Sequence, residues 1–399
     1  MEALKDWERS SRTMMASMAT AQPCADLLEL MGQPHRQYRH VHVAGSKGKG
    51  STAALIGAAL EAAGWRCAVL SSPHVQCITE RLRIDGQAVG QEALSKALDA
   101  ALAARARAEA RGTHGMEATW FDTFVAASLH ACAEAQVDWA VVECGLGGRS
   151  DSTNVLASPM ALLTSVELEH TEVLGDTLEA IAREKCGIAS PDGALVACVS
   201  TDLSQIVHDI AREQRVRTCT VLPRSQDHTE DNLEISRLTL DELGRRGFLC
   251  APRSNARLSR LSRCLLGPQQ VQRAHRMLPA RQERLMSACG VEVLLDAAHT
   301  PASACSLVAV TRRMRSVRKP PVLLIGMLGD KDHGQVSASM SALLPPHVVC
   351  VDVSGGRGVA GKLKTQMAAA GCTSVCAVPD VASALEAALD AARHHETWL

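Results

Sequence analysis

One segment constrains this chain more than any other: Arg39-His40-Val41-His42-Val43-Ala44, then Gly45-Ser46-Lys47-Gly48-Lys49-Gly50-Ser51, then an Ala- and Leu-rich run to Gly64. The pattern predicts a short strand over 39–44, a glycine-rich turn, and a helix over 51–64. Backbone N–H groups of such a turn, backed by the helix dipole, cradle phosphate oxygens. In that role Lys49 neutralises the β- and γ-phosphates and the Ser51 hydroxyl ligates Mg²⁺. The spacing is not the general G-x-x-x-x-G-K-[ST]: only two residues separate Gly45 from Gly48, and Gly50 intervenes before Ser51. A glycine-rich turn with a stray lysine is the competing reading, and the flanking strand and helix argue against it.

The rest of the chain reads as a continuation of that unit. Residues 67–70, 137–142, 160–166 and 194–199 form apolar runs suited to a buried parallel sheet, and 91–111 and 177–185 carry helical patterns. Strands alternating with helices predict a three-layer α/β domain with right-handed crossovers. Glu143 closes the 137–142 run ahead of Cys144-Gly145-Leu146-Gly147-Gly148, so it is either a second metal anchor or a strand-terminal acid. From 224 to 262 the pattern degrades, and between Arg245 and Arg281 there are nine arginines and no acid. Such a tract could hold a polyanion, but a solvated face is the favoured reading. A second α/β series begins at 291–295 and continues through 321–326 and 348–353. For 399 residues, two domains are expected, 1–280 and 281–399.

Composition narrows the partners. Lys+Arg 42 against Asp+Glu 43 argues against a nucleic-acid binder. The 15 cysteines are odd in number and scattered without a C-x-x-C pair, so neither structural zinc nor a disulfide framework is expected, and a reducing compartment, the cytoplasm, fits. No apolar run approaches the roughly 18–20 residues that span a bilayer, and the opening MEALKDWERSS lacks a secretory h-region, so no membrane partner is expected. Aromatics make up only 2%, which predicts an aliphatic core.

Five segments, in order, resemble one family: HVAGSKGKGST, SSPHVQCITERLRIDG, VECGLGGRSDSTNV, ELEHTEVLGDTLEAIAREKCGI and LDAAHT. They are similar to the folylpolyglutamate synthases and dihydrofolate synthases of the Mur-ligase superfamily. The resemblance implies an N-terminal P-loop ATPase domain with a mostly parallel sheet, a smaller C-terminal Rossmann-like domain, and an active site between them. It implies an ATP-dependent ligase joining L-glutamate to a folate or dihydropteroate carboxylate through an acyl phosphate. It also implies ATP, two Mg²⁺ sites with a monovalent cation as a further candidate, small-molecule substrates, and a monomer.

By resemblance, Gly45, Gly48, Lys49, Gly50 and Ser51 bind the nucleotide phosphates, and Ser51 and Glu143 hold the first magnesium. His170 matches a ligand of the second; by pattern alone it is a core or cap histidine. Lys185 matches a lysine carbamylated in the family; by pattern alone it is a surface lysine on an amphipathic helix. Ser72-Pro73-His74, Asp151, Asn154 and Trp120-Phe121-Asp122 fall on the folate side. Arg281, Asp296 and His299 match nucleotide contacts, and Gly326-Met327-Leu328-Gly329-Asp330-Lys331-Asp332 a later structural or glutamate-proximal turn. Relatives carry G-x-H-Q-x-x-N-A ahead of the linker, its asparagine helping to bind adenine. Read against Leu249–Ala256, only Asn255 and Ala256 match. The LDGAHN form of relatives becomes LDAAHT, with Ala297 in place of a glycine, and the final G-S-x-Y-L-V strand of relatives has no match. A cell-wall Mur-type ligase and a nucleotide-binding protein without ligase activity are the competing readings.

Overall fold

A computed structural model describes residues 4, 20–225, 227–249, 261–315, 319–329, 331–353 and 359–399. The chain splits into two compact units, Met1–Leu278 and Pro279–Leu399.

The first unit is built on one sheet. Its strands are β1 (Arg39–Ala44), β2 (Cys67–Leu70), β3 (Leu82–Ile84), β4 (Gln87–Ala88), β5 (Trp139–Glu143), β6 (Met160–Leu163), β7 (Ala194–Val199) and β8 (Thr218–Pro223). They lie in the order β4-β3-β2-β5-β1-β6-β7-β8. From β2 to β8 the pairing is parallel; only the β2-β3-β4 edge is antiparallel. The helices are α1 (Gln22–Leu30), α2 (Lys49–Ala62), α3 (Gln91–Arg111), α4 (Trp120–Glu134), α5 (Thr171–Leu174), α6 (Leu178–Cys186), α7 (Thr201–Glu213), α8 (His228–Arg245), α9 (Leu261–Leu265) and α10 (Pro268–Arg276).

The period of two along each strand sorts the core into layers. On β5, Trp139 and Val141 face the cluster that holds α2 and α8 residues such as Ile56, Leu60, Ile235 and Leu243. The alternate residues Ala140 and Val142 face the cluster built from α1, α3 and α4. Further along, Ala161 and Leu163 of β6 and Leu195 and Ala197 of β7 face α6 and α7. Both faces of the sheet are therefore covered, which is the three-layer arrangement the apolar runs predict. The core is aliphatic as the composition requires, with Trp139 and Phe124 the most deeply buried aromatics among the described residues.

The 224–262 stretch differs from its expected irregularity, since α8 occupies 228–245. Asp227 caps it, accepting from the backbone N–H groups of Thr229 and Glu230, and Ile235, Leu240 and Leu243 bury its apolar stripe. Ser236, Thr239 and Glu242 are buried beside them, which dilutes the sequence periodicity. Arg253, Arg257 and Arg260 lie outside the described residues.

The second unit has an antiparallel hairpin, β9 (Glu283–Met286) with β10 (Glu292–Leu295), and a parallel sheet of β11 (Leu323–Gly326), β12 (Val348–Val351) and β13 (Val375–Val378). Helices α11 (Pro301–Arg315), α12 (His333–Ser341) and α13 (Val359–Ala369) cover one face, and α14 (Val381–His394) the other. Although no G-S-x-Y-L-V sequence is present, the backbone at Trp398 and Leu399 bonds to both neighbours. The N–H of Val322 donates to the Trp398 carbonyl at 2.8 Å, and Leu399 exchanges bonds with Glu292 and Leu294 at 3.0 and 2.8 Å.

Candidate active site

Ligands of open parallel sheets bind beyond the carboxyl ends of the strands, where the chain leaves adjacent strands in opposite directions. Here that point is the end of β1, flanked by β5 and β6. The phosphate loop leaves β1 there, and α2 begins at Lys49, earlier than the sequence pattern predicts. Gly48 caps α2 in the left-handed region, φ +86°, and a Cβ on it would lie 2.2 Å from Asn232 Oδ1. Lys49 Nζ curls back to donate to the Gly45 carbonyl at 2.9 Å, which lays the cation along the loop. The loop is pinned from β6: the backbone N–H of Lys47 donates to Ser165 Oγ at 2.8 Å, and Thr164 Oγ1 donates to the Lys47 carbonyl at 2.6 Å.

Glu143, at the end of β5, is buried, and its Oε2 accepts the Ser72 N–H at 3.1 Å. That same oxygen lies 3.2 Å from the Cβ position of Gly50, so the carboxylate stands against the first turn of α2, beside Ser51. A hydroxyl and a carboxylate at the mouth of a phosphate loop are hard oxygen donors of the kind Mg²⁺ takes from a protein, the remaining positions going to phosphate and water. The residues present therefore fit a magnesium nucleotide. Beyond Glu143, Gly148 packs on the end of α6, where a Cβ would meet the Lys185 carbonyl at 2.7 Å and that of Glu184 at 2.8 Å. The Arg149 N–H donates to the Glu184 carbonyl at 2.8 Å, so loop and helix end are one rigid piece.

That contact fixes Lys185. Its side chain is 2% exposed, and Nζ meets Glu169 Oε1 at 3.2 Å, while Lys47 Nζ meets Glu169 Oε2 at 3.5 Å. Burial, then the nearby Lys49, lowers the Lys185 pKa against the opposing pull of Glu169. Burial alone would raise Glu169, but Lys185, Lys49 and Lys47 outweigh it and hold the carboxylate below its ordinary range. Lys185 is thus buried and paired rather than on a solvated surface. His170 follows Glu169 directly and takes a left-handed backbone, φ 48°, as the first cap of α5.

The residues assigned to the folate side are tied to one another. The Ser72–Pro73 bond is cis. Arg81 Nε donates to His74 Nδ1 at 2.7 Å, and the buried guanidinium lies 4.9 Å from the centroid of Trp120. Asp122 forms a capping box with Thr119 and accepts from Ser152 Oγ at 2.6 Å. Asp151 is buried: Oδ2 accepts the Leu146 N–H at 2.8 Å and Oδ1 that of Thr153 at 2.9 Å. Burial raises its pKa despite those bonds. Asn154 Nδ2 donates to the Arg149 carbonyl at 2.9 Å. Both side chains hold the glycine-rich loop in shape. The sequence reading missed His42, whose Nε2 lies 2.8 Å from Thr153 Oγ1 and 3.2 Å from Cys144 Sγ. Burial, then His40, pushes His42 down to about 3, so it is a neutral strut beneath the loop.

In the second unit, Asp296 accepts the N–H groups of Gln282 and Ala298 at 2.9 and 2.8 Å, and burial raises its pKa while Arg281 and His299 pull it down. The three residues therefore share one neighbourhood after β10. Asp332 caps α12 through the Gln335 N–H at 3.0 Å, a structural use of that turn; Asp330 lies outside the described residues. Asn255 also lies outside them. The H-x-x-x-N spacing it was meant to complete occurs intact at His228 and Asn232 in the first turns of α8, and Thr52 Oγ1 lies 3.3 Å from Asn232 Oδ1. Arg224 orients that turn, with Nη2 2.7 Å from Glu167 Oε1 and 2.8 Å from His228 Nδ1. The signal was available in the sequence as Asp227-x-x-Glu230, a cap with an acidic first turn.

Comparison with known proteins places this geometry. The Mur ligase middle domain matches residues 43–271, and the Mur ligase glutamate ligase domain matches 280–399. The folylpolyglutamate synthase of Lacticaseibacillus casei is 30% identical over 336 residues, 79% of this chain and 77% of that protein. A probable bifunctional folylpolyglutamate synthase/dihydropteroate synthase of Halobacterium salinarum is 32% identical over 339 residues, 81% of this chain; the match spans only 40% of that longer protein. A Mycobacterium tuberculosis folylpolyglutamate synthase solved with ADP superposes with a TM-score of 0.77 at 23% identity, over 93% of this chain and 87% of that one, and so shares the fold. The chain belongs to the folylpolyglutamate synthase and dihydrofolate synthase family of Mur ligases.

Proposed function

We propose that the protein is an ATP-dependent ligase that joins L-glutamate to the carboxylate of a folate or dihydropteroate. The observation that carries this is the convergence, at the carboxyl ends of the central strands, of the phosphate loop, the buried Glu143 and the Glu169–Lys185 pair. A free carboxylate is a poor electrophile, so it must be activated. Its oxygen attacks the γ-phosphorus as the bond to the ADP oxygen breaks. The glutamate nitrogen then attacks the acyl carbon, the C–O bond to phosphate breaks, and the nitrogen loses a proton. The products are amide, ADP, phosphate and one proton.

In this reading the protein contributes position and charge. Gly45 to Ser51 hold the phosphates, with Lys49 along them. Ser51 and Glu143 would hold one magnesium, and His170 with a carbamylated Lys185 a second. Bound metal would neutralise charge on the transferring phosphoryl group. A lysine can become a metal ligand only after its amine reacts with CO₂, and a buried amine of lowered proton affinity is suited to that. Asn232, rather than Asn255, is the adenine asparagine, and Arg281, Asp296 and His299 are the nucleotide residues of the second unit. Asp151, Asn154, Ser72 and Pro73 shape the folate side. Glutamate-dependent phosphate release, measured with dihydropteroate and with tetrahydrofolate in turn, tests the proposal. Release with neither would refute it; release with one or both names the substrate.

A further inference from the structure

The phosphate loop carries two lysines, and the reading above uses only Lys49. Lys47 is held differently from an ordinary loop side chain. Its backbone N–H donates to Ser165 Oγ, and its carbonyl accepts from both Thr164 Oγ1 at 2.6 Å and Ser165 Oγ at 3.1 Å. Its backbone is therefore anchored on both its N–H and its carbonyl. The Lys47 side chain is 32% exposed, and its pairing with Glu169 Oε2, at 3.5 Å, is long for a charge-assisted bond. In the uncarbamylated protein Glu169 keeps a second cation, since Oε1 meets the almost wholly buried Lys185 at 3.2 Å. Three lysines, 47, 49 and 185, thus bear on one carboxylate. Lys47 and Lys49 are two cations on one phosphate loop, and a polyphosphate is their obvious counterion.

We infer that Lys47 is a second phosphate-binding cation, which leaves Glu169 for the terminal phosphoryl oxygens of a nucleoside triphosphate and so distinguishes triphosphate from diphosphate. The inference rests on the nucleotide reading above. Lys49 is turned inward onto the Gly45 carbonyl, where it meets the β-phosphate that both nucleotides share as well as the terminal one, whereas the Lys47 side chain is directed to Glu169 Oε2. The exchange also has a consequence for turnover. When the terminal phosphoryl group has gone, Lys47 returns to Glu169, and the diphosphate is held by one cation fewer.

Equilibrium titration calorimetry with Mg²⁺ tests this, using the non-hydrolysable analogue AMPPCP and, separately, ADP, on wild type, Lys47→Met and Lys47→Arg. Lys47→Met should weaken AMPPCP about tenfold or more, the scale of one lost hydrogen bond to a charged group, and leave ADP within about twofold. Lys47→Arg, which keeps the charge, should recover most of the AMPPCP affinity. Equal losses for both ligands, or no loss for either, would overturn the inference while leaving nucleotide binding itself intact. A wild type that binds neither ligand would overturn the nucleotide reading, and this inference with it.

Discussion

Replacing Lys185 with methionine removes the amine and keeps nearly the same apolar volume. Two quantities then separate. Breaking a buried ion pair costs about 3–5 kcal/mol where the surviving partner is left uncompensated. In the uncarbamylated protein the survivor, Glu169, is 17% exposed and keeps Lys47 at 3.5 Å, so the cost should fall to about 1–2 kcal/mol. For a unit of this size that is a shift in Tm of roughly 2–8 °C, and the chain stays folded at 25 °C. Turnover should fall far more, on the order of 10²–10³, because the proposed carbamate ligand near the transferring phosphoryl group is gone. Thermal unfolding and glutamate-dependent phosphate release on the same preparation give both numbers. Added short-chain carboxylic acids should restore part of the rate in Lys185→Ala, where a cavity admits them, and none in Lys185→Met, where the side chain fills it. Turnover of Lys185→Met within about threefold of wild type would refute the role assigned to Lys185 (the fold-change is the quantity at issue, not the Tm).

Asn232→Ala should raise the Michaelis constant for ATP and weaken ADP in calorimetry, while Asn255→Ala should leave both unchanged; the opposite result would return the adenine contact to the 249–256 segment. Arg281→Ala should raise the Michaelis constant for ATP or lower turnover, with Arg257→Ala and Arg260→Ala closer to wild type in the same assay. His40 and His42 are held near 4 and near 3 by burial, below the ordinary value of 6.5. The unfolded chain therefore binds protons first, and their contribution to stability is present above about pH 6.5 and lost as pH falls toward 3. Chemical denaturation between pH 7 and 4.5 should show a shallower loss of stability for His42→Gln than for wild type, and identical slopes would count against a neutral buried His42.

The phosphate loop was legible because every level agreed: an alternating strand, glycines where a Cβ has no room, a lysine and a hydroxyl, then an apolar helix. Glu143 was legible for the same reason, as an acid at a strand end before glycines. What the sequence could not display was pairing across the chain. His42 and Thr153 are 111 residues apart, and only the register of β1 with β5 brings them under one loop. Lys185 looks like a surface residue of an amphipathic helix until Gly148 lets the loop backbone cover the helix end. The sequence marks Asp151 as a candidate after the glycine-rich turn, but not the way its carboxylate is occupied by Leu146 and Thr153.

The proposal that α8 carries the adenine asparagine rests on geometry rather than on letters. Relatives carry Gly and Gln in that segment; here Gln226 and Thr229 stand at those places, and Leu233 stands for the alanine. On the proposed assignment, what persists is the histidine four residues before the asparagine, placed where a helix starts. The structural demand explains this. The helix start is secured by the Asp227 cap, whose carboxylate satisfies two backbone donors, so the glycine and glutamine are dispensable for starting it. Position then has to be transmitted to the loop, and it is: His228 meets Arg224, Arg224 meets Glu167, and the Glu167 N–H donates to Ser46 Oγ at 3.0 Å. Asn232 is the residue of that helix start that abuts Gly48 and Thr52, and an asparagine beside the loop can reach a bound nucleotide only while this chain of contacts holds the helix there. A match at 249–256 keeps two letters, and residues 250–256 lie outside the described residues.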